Sequence, residues 1–428
     1  MWKSVNLFVI LYIAICSSVK IYRYQSEEWW QKANFYQIYI RSFMDWDGDG
    51  IGDLKGLIHK VHYLNTLGVD AFCLSPIYMS PMEDFGYDTS DFMDVDPTYG
   101  TLHDFNELLT AAKYFDLKVI LDLVPNHSSD EHVWFQKSLH RIEPYTNYYV
   151  WHDGEIDESG DIIPPNNWED LYGGGSAWTW REERQQYYLH QFHHKEPDLN
   201  YNDPNLVKEI KDVLRFWLRT GIDGFRISSV DSLFEEPFSD VLDYMTAPKK
   251  HLPETYDMVK QWRKLLDEYS AETGEKKVLI VEAHGTMDQE MQYYGTPKQP
   301  GAHLVLNNKL ITDLNNKSLL FHLPQDFTEF KLSKHSYRVE CLTLGNQDNH
   351  RVASRFGTGL VDAMNMLSLF LPGPSFIYYG EEIGMEDTEI TWEQCQDPQG
   401  INLGPRYYNE KTRDPERTPF QWDDTMNA

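Results

Sequence analysis

Ile222-Asp223-Gly224-Phe225-Arg226-Ile227-Ser228-Ser229-Val230 is a short apolar strand signal that follows directly on a helix signal. Asp203 is a good N-cap, Pro204 suits a first helical turn and Gly221 suits a C-terminal stop. Between them Leu206, Ile210, Val213, Leu214, Trp217 and Leu218 recur at helical spacing and share one face. A buried helix running into a buried strand is half of a parallel βα unit. The same alternation extends outward in both directions. Phe35 to Ile40, Val69 to Leu74 and Leu117 to Leu123 read as earlier strands, and Lys277 to Glu282, Arg338 to Leu344 and Ser375 to Tyr379 as later ones. With 428 residues this is one large α/β barrel or two to three ordinary domains. The stretch from Pro125 to Tyr201 breaks the rhythm, with turn signals at Pro164-Pro165 and Gly173-Gly174-Gly175. A long insertion after a barrel strand lands at the C-terminal face, where such barrels carry their sites.

Composition narrows the partners. The chain has 38 basic and 67 acidic residues, a net charge of -29. That argues against nucleic acid or an anionic membrane surface. At the N-terminus Lys3 precedes an apolar run from Val5 to Cys16, and the small Ser17 and Ser18 follow. This reads as an export signal over residues 1–18, set against an uncleaved anchor. No other segment is long and apolar enough to cross a bilayer. Beyond the signal remain Cys73, Cys341 and Cys395, which permit at most one bridge, so the chain is no disulfide scaffold. Two N-x-S/T sequons occur, at Asn126 and Asn316. Asp45-Trp46-Asp47-Gly48-Asp49-Gly50-Ile51-Gly52-Asp53 alternates carboxylates on a glycine-rich turn, which puts hard oxygens around one point. It is like the start of an EF-hand, but Gly56 stands where the closing Glu belongs.

Several motifs in a fixed order carry a family resemblance over roughly residues 27–428. They are Phe85-Gly86-Tyr87-Asp88, Asp122 to His127, Gln191-Phe192, Pro197 to Asn200, Arg226 to Ser228, Val281-Glu282-Ala283, Gly345-Asn346-Gln347-Asp348, and Arg413 to Trp422. Together they resemble the α-amylase family, glycoside hydrolase family 13, in the branch of insect maltases and α-glucosidases. The resemblance implies a (β/α)8 TIM barrel formed by 19–124 and 202–428, with an inserted subdomain at 125–201 after strand 3. The family continues with a last barrel helix and a small C-terminal β-domain. Neither follows Ala428 here, so the expectation is a truncated chain with that domain absent.

The resemblance also assigns roles. Retaining glycoside hydrolysis needs two close carboxyl groups, one attacking the anomeric carbon and one acting as acid and then base. Glu282 matches the acid/base. The nucleophile position, two residues after Arg226, holds Ser228, which is neutral and shorter than aspartate. Asp348 matches the carboxylate that distorts the sugar ring. Gln347 stands where the family has histidine. Asp88, His127, Arg226 and Arg417 match residues that grip the non-reducing glucose. Asp231 is an alternative acid near the altered position, weighed against a helix N-cap. Small Ser229 goes, in the family, with α-1,4 linkages. The acidic loop matches the family's calcium site, with Asp45, Asp47, Asp49 and Asp53 by side chain and Ile51 by carbonyl. The expected protein is a secreted or cell-surface maltase homologue. Its partners are small α-glucosides, with no nucleic acid and no membrane anchor visible. Turnover is impaired at Ser228. The alternatives are a non-catalytic sugar-binding or partner-binding homologue, or a membrane transporter's heavy-chain partner, which would need a span before the barrel.

Overall fold

The computed structural model describes residues 28–236, 248–312, 340–371 and 373–424. The N-terminal export signal, residues 338 and 339 of the expected strand 338–344, and Asn316 lie outside them. Eight parallel strands close into a barrel. They are β1 (Asn34–Ile38), β2 (Ala71–Leu74), β3 (Lys118–Leu123), β4 (Gly224–Ile227), β5 (Val278–Glu282), β6 (Leu304–Asn307), β7 (Glu340–Thr343) and β8 (Ser375–Tyr378). Each pairs with its neighbours in chain order, and β8 returns to β1 through Asn34 beside Ser375. The protein is a (β/α)8 barrel.

Seven of these strands coincide with the apolar runs read from sequence, each shorter by a residue or more. The first ends at Ile38 because Ile40–Ser42 turns into a 3₁₀ helix. The eighth, β6, was not among the expected strands. Its four residues follow Pro300 and Gly301, so the sequence signal is brief and bordered by turn residues.

The period of two along each strand divides the core. Phe35, Ala71, Cys73, Ile120, Val278, Ile280, Leu304, Leu306, Cys341 and Phe376 form one apolar cluster within the barrel. Their neighbours in sequence, such as Tyr36, Phe72, Leu121 and Leu279, join the cluster that includes the surrounding helices. Continuing the inward alternation past the apolar floor brings Gln37, Asp122, Arg226, Ser228, Glu282, Asn308 and Thr343 to the C-terminal ends of the strands. All seven are buried.

The helix before β4 matches its sequence reading. It spans Pro204–Thr220, and the Asp203 side chain accepts from Asn205 N at 2.8 Å. Gly221 ends it at φ 119°, a conformation that would strain a side chain. Its buried residues are Leu206, Ile210, Val213, Leu214, Trp217 and Leu218. Trp217 also donates through Nε1 to Phe92 O at 2.7 Å.

Between β3 and this helix lie a short helix, Val133–Leu139, and a three-stranded antiparallel sheet of Trp151–His152, Gln186–Leu189 and Trp178–Arg181. Trp168, Ala177, Trp178, Tyr187 and Leu189 form a separate small cluster there. The segment returns to the barrel through an isolated bridge between His127 and Asp198.

Candidate active site

The ends of β3, β4 and β5 meet around one buried cation. Arg226 is fully buried, and its Nη1 donates to Asp122 Oδ2 and to Ser228 Oγ, the latter at 3.0 Å. Its Nη2 donates to Glu282 Oε2. Ser228 Oγ in turn donates to Asp122 Oδ1 at 2.6 Å. The other Glu282 oxygen accepts from Asn308 Nδ2 at 2.8 Å, and Asn308 Oδ1 accepts from Thr343 Oγ1 at 2.5 Å. Burial pushes the Asp122 carboxyl up to about 6, while Arg226 and the Ser228 hydroxyl pull it back. Arg226 itself is held more firmly protonated by Asp122 and Glu282, against the opposing effect of burial. One arginine therefore serves two carboxylates and a hydroxyl. Ser229, next to this cluster, is held at φ 50° and ψ 33°. That is uncommon for a residue with a side chain and recurs at functional sites.

A second group faces it from the β7 end and from the chain near residue 417. Arg417 Nη2 donates to Asp348 Oδ1 at 2.9 Å, and Arg417 Nε to Gln347 O at 2.7 Å. Gln347 Nε2 donates to Asp348 Oδ2 at 2.6 Å, while its Oε1 accepts from Gln37 Nε2 at 2.6 Å. The Asp348 side chain keeps 38% of its surface exposed, so it faces open space. Arg417 Nη1 is buried and has no hydrogen-bond partner among the described residues. His127 is buried against Phe192, and burial lowers its imidazole to about 3, so it is neutral near pH 7. Its Nε2 lies 3.5 Å from Glu196 Oε1, and neither atom has a hydrogen-bond partner among the described residues. The exposed Asp348 carboxylate, fixed by Arg417 and Gln347, is the acceptor open to a polyhydroxylated ligand.

The residues from 37 to 428 match the family model "Alpha amylase, catalytic domain". A salivary alpha-glucosidase of Anopheles gambiae is 47% identical over 94% of this chain and 70% of its own length. The chain belongs to the alpha-amylase family. Maltase A1 of Drosophila melanogaster is 44% identical over 94% of this chain and 73% of its own. The crystal structure of an alpha-glucosyl transfer enzyme, XgtA, superimposes with a TM-score of 0.83 at 35% identity, over 94% of this chain and 77% of that one.

Within this alpha-amylase barrel the sequence-selected residues divide. Ser228, Arg226, Glu282, Gln347, Arg417 and His127 all lie among the buried groups just described, and the exposed Asp348 is bonded to Arg417 and Gln347. Asp88 is engaged elsewhere. Its Oδ1 accepts from Ser80 Oγ at 2.8 Å and Asp84 N at 3.1 Å, and its Oδ2 from Glu83 N at 2.9 Å. It holds its own loop together, and burial raises it to about 6. Four residues earlier Asp84, which the sequence reading passed over, accepts from Arg413 Nη2 at 2.6 Å and from Tyr172 at 2.9 Å. Arg413 Nη1 also lies 3.5 Å from Asp348 Oδ1, so Asp84 shares a cation with the Asp348 group. Asp122 and Asn308 were likewise given no role from sequence. The inward period from Ile120 to Asp122 and from Leu306 to Asn308 is the signal that finds them.

Asp231 neither caps a helix nor bonds to the Arg226 cluster. It lies inside a 3₁₀ turn, Val230–Ser232, whose N-cap is Ser229, and its Oδ2 is 3.0 Å from Lys250 Nζ. In the acidic loop, Asp45, Asp47 and Asp49 bring ligand atoms within 4.8 Å of one another. Asp45 accepts from Gly48 N at 2.7 Å and Gly50 N at 2.8 Å. Those two glycines sit at φ 81° and 94°, which lets the turn close on the carboxylate. Ile51 N is drawn to Asp49 Oδ1 at 2.7 Å. Asp53 stands apart as the N-cap of the helix Leu54–Leu67, accepting from Gly56 N and Trp46 N, both at 2.8 Å.

Proposed function

We propose that this protein is a maltase-like α-glucosidase homologue that retains a glucose-gripping pocket and has lost most of its hydrolytic turnover. The observation that carries this reading is the Ser228 hydroxyl, bonded to Asp122, at the place where a retaining enzyme needs an ionised carboxylate. Serine here can neither capture the anomeric carbon readily nor stabilise the positive charge developing on it. In this reading Glu282 is the acid/base, Asp348 holds sugar hydroxyls, and His127, Arg417 and Asp84 meet the non-reducing glucose. Arg226 positions the cluster. Glu282 alone supplies general acid catalysis, worth about 10² to 10⁴ in rate. The related salivary α-glucosidase and maltase support α-glucosides as the ligand class.

Asp45, Asp47 and Asp49 offer the hard-oxygen set that calcium takes, on a turn already closed by backbone donors. They would hold one calcium ion, and Asp53 would fix the adjacent helix start. The ion's contribution is structural. Export to the extracellular side fits both the N-terminal signal pattern and the salivary name of the Anopheles relative. Among the described residues no helix is long and apolar enough to cross a membrane.

A second reading, a sugar-binding or partner-binding protein without catalysis, draws on the paired changes at Ser228 and Gln347. The test is hydrolysis of p-nitrophenyl α-glucoside by the wild-type chain beside Ser228→Asp. Ordinary maltase rates in the wild type would end the proposal of lost turnover. Activity gained only with Ser228→Asp supports it.

A further inference from the structure

His350, Asp387 and Glu416 are brought together from three separate segments. His350 Nδ1 lies 2.9 Å from Asp387 Oδ2 and 3.7 Å from Glu416 Oε2. All three ligand atoms fall within 4.8 Å of one another. We propose that they form a binding site for one divalent first-row transition ion of the zinc type.

The spacing suits such an ion. With bonds of about 2.0–2.1 Å in tetrahedral geometry, neighbouring ligand atoms stand about 3.3 Å apart. The two measured spacings to the imidazole nitrogen bracket that value. A second observation points to a ligand. The Glu416 side chain is 2% exposed, and its Oε2, directed at the imidazole, has no hydrogen-bond partner among the described residues. A buried carboxylate oxygen without a donor is costly, and a cation would satisfy it. The His350 side chain is 52% exposed, so water can reach the open side and complete the coordination.

The supporting groups are already in place. Asp387 Oδ1 accepts from Arg351 N at 2.8 Å, which directs Oδ2 toward His350. Arg351 Nη2 donates to Glu416 O at 2.8 Å and fixes the backbone of the third ligand. Such outer partners orient metal ligands. One imidazole with two carboxylates also separates this site from the all-oxygen loop at Asp45, which suits calcium. The plain alternative is a protonated histidine between two carboxylates, with no metal. The site stands whether or not Ser228 has abolished turnover, because none of its ligands belongs to the Arg226 cluster.

The experiment is zinc titration by calorimetry on the full chain, with excess calcium present. The wild type should bind one zinc ion. His350→Ala and Glu416→Gln should each weaken binding by more than about 10-fold, since disturbing even the outer partners of metal ligands costs about 10- to 100-fold. Asp47→Asn in the acidic loop should leave it unchanged. Cobalt substitution supplies a second readout, a visible absorption band present in the wild type and absent in His350→Ala. Failure of the wild type to bind zinc overturns the proposal. So does zinc binding that neither His350→Ala nor Glu416→Gln weakens.

Discussion

Ser228 Oγ donates a 2.6 Å hydrogen bond to Asp122 Oδ1, across the ends of two adjacent barrel strands. The hydroxyl is therefore directed at a carboxylate that also accepts from Arg226. Asp122 thus accepts from the serine hydroxyl while it is also paired with the guanidinium.

The first prediction concerns turnover. Ser228→Asp should raise hydrolysis of p-nitrophenyl α-glucoside by at least about 10³-fold, since nucleophile loss has cost about 10⁶ in another hydrolase. Adding Glu282→Gln to that variant should abolish the gain. Equal rates for wild type and Ser228→Asp would count against the assigned roles.

Maltose should still bind at millimolar concentration, because the exposed Asp348 carboxylate, held by Arg417 and Gln347, is open to sugar hydroxyls. Arg417→Ala should weaken binding measured by calorimetry, as it also removes one of the donors that hold Asp348. A flat wild-type titration at tens of millimolar would refute a retained pocket.

Calcium should raise the melting temperature, and a chelator should lower it. Asp47→Asn should remove most of that difference, whereas His350→Ala should not. Identical melting curves with saturating calcium and with chelator would exclude a structural ion at the loop.

Acid sensitivity should have a contribution from His132. Its Nδ1 accepts from Trp134 N at 3.0 Å and caps the helix Val133–Leu139, and burial lowers its imidazole to about 3. The unfolded chain, near 6.5, binds that proton first, so this stabilisation is complete above 6.5 and declines as pH falls toward 3. His132→Asn keeps a capping acceptor that does not titrate. The melting temperature of His132→Asn relative to wild type should become more favourable from pH 7 to pH 4.5. A constant difference would show that His132 does not contribute.

Much of this arrangement was legible in the chain. The helix before β4 carried all its signals locally, a cap, a proline, a glycine and one apolar face, so its reading needed no tertiary knowledge. The inward positions of Asp122, Arg226 and Glu282 follow from strand alternation once the strands are placed. What was not legible depends on where side chains turn in loops. Asp88 and Asp84 stand four residues apart in one acidic turn, and only the fold shows which meets its own backbone and which meets Arg413. Asp231 looked like a helix cap because apolar residues follow it, yet Lys250, nineteen positions later in sequence, claims its carboxylate. The strand β6 was masked by the turn residues Pro300 and Gly301 that come just before it.

The sharing of Arg226 between Asp122 and Glu282 has a consequence for the folded state itself. With serine at 228, two acidic groups surround one fully buried cation. With aspartate there, a third would crowd the same guanidinium, and mutual repulsion in a poorly solvated space would have to be borne by the rest of the barrel. Ser228→Asp should thus melt at a lower temperature than the wild type even as it gains turnover. A barrel carrying serine at this position is relieved of the electrostatic tension that a working glycosidase must maintain at its centre.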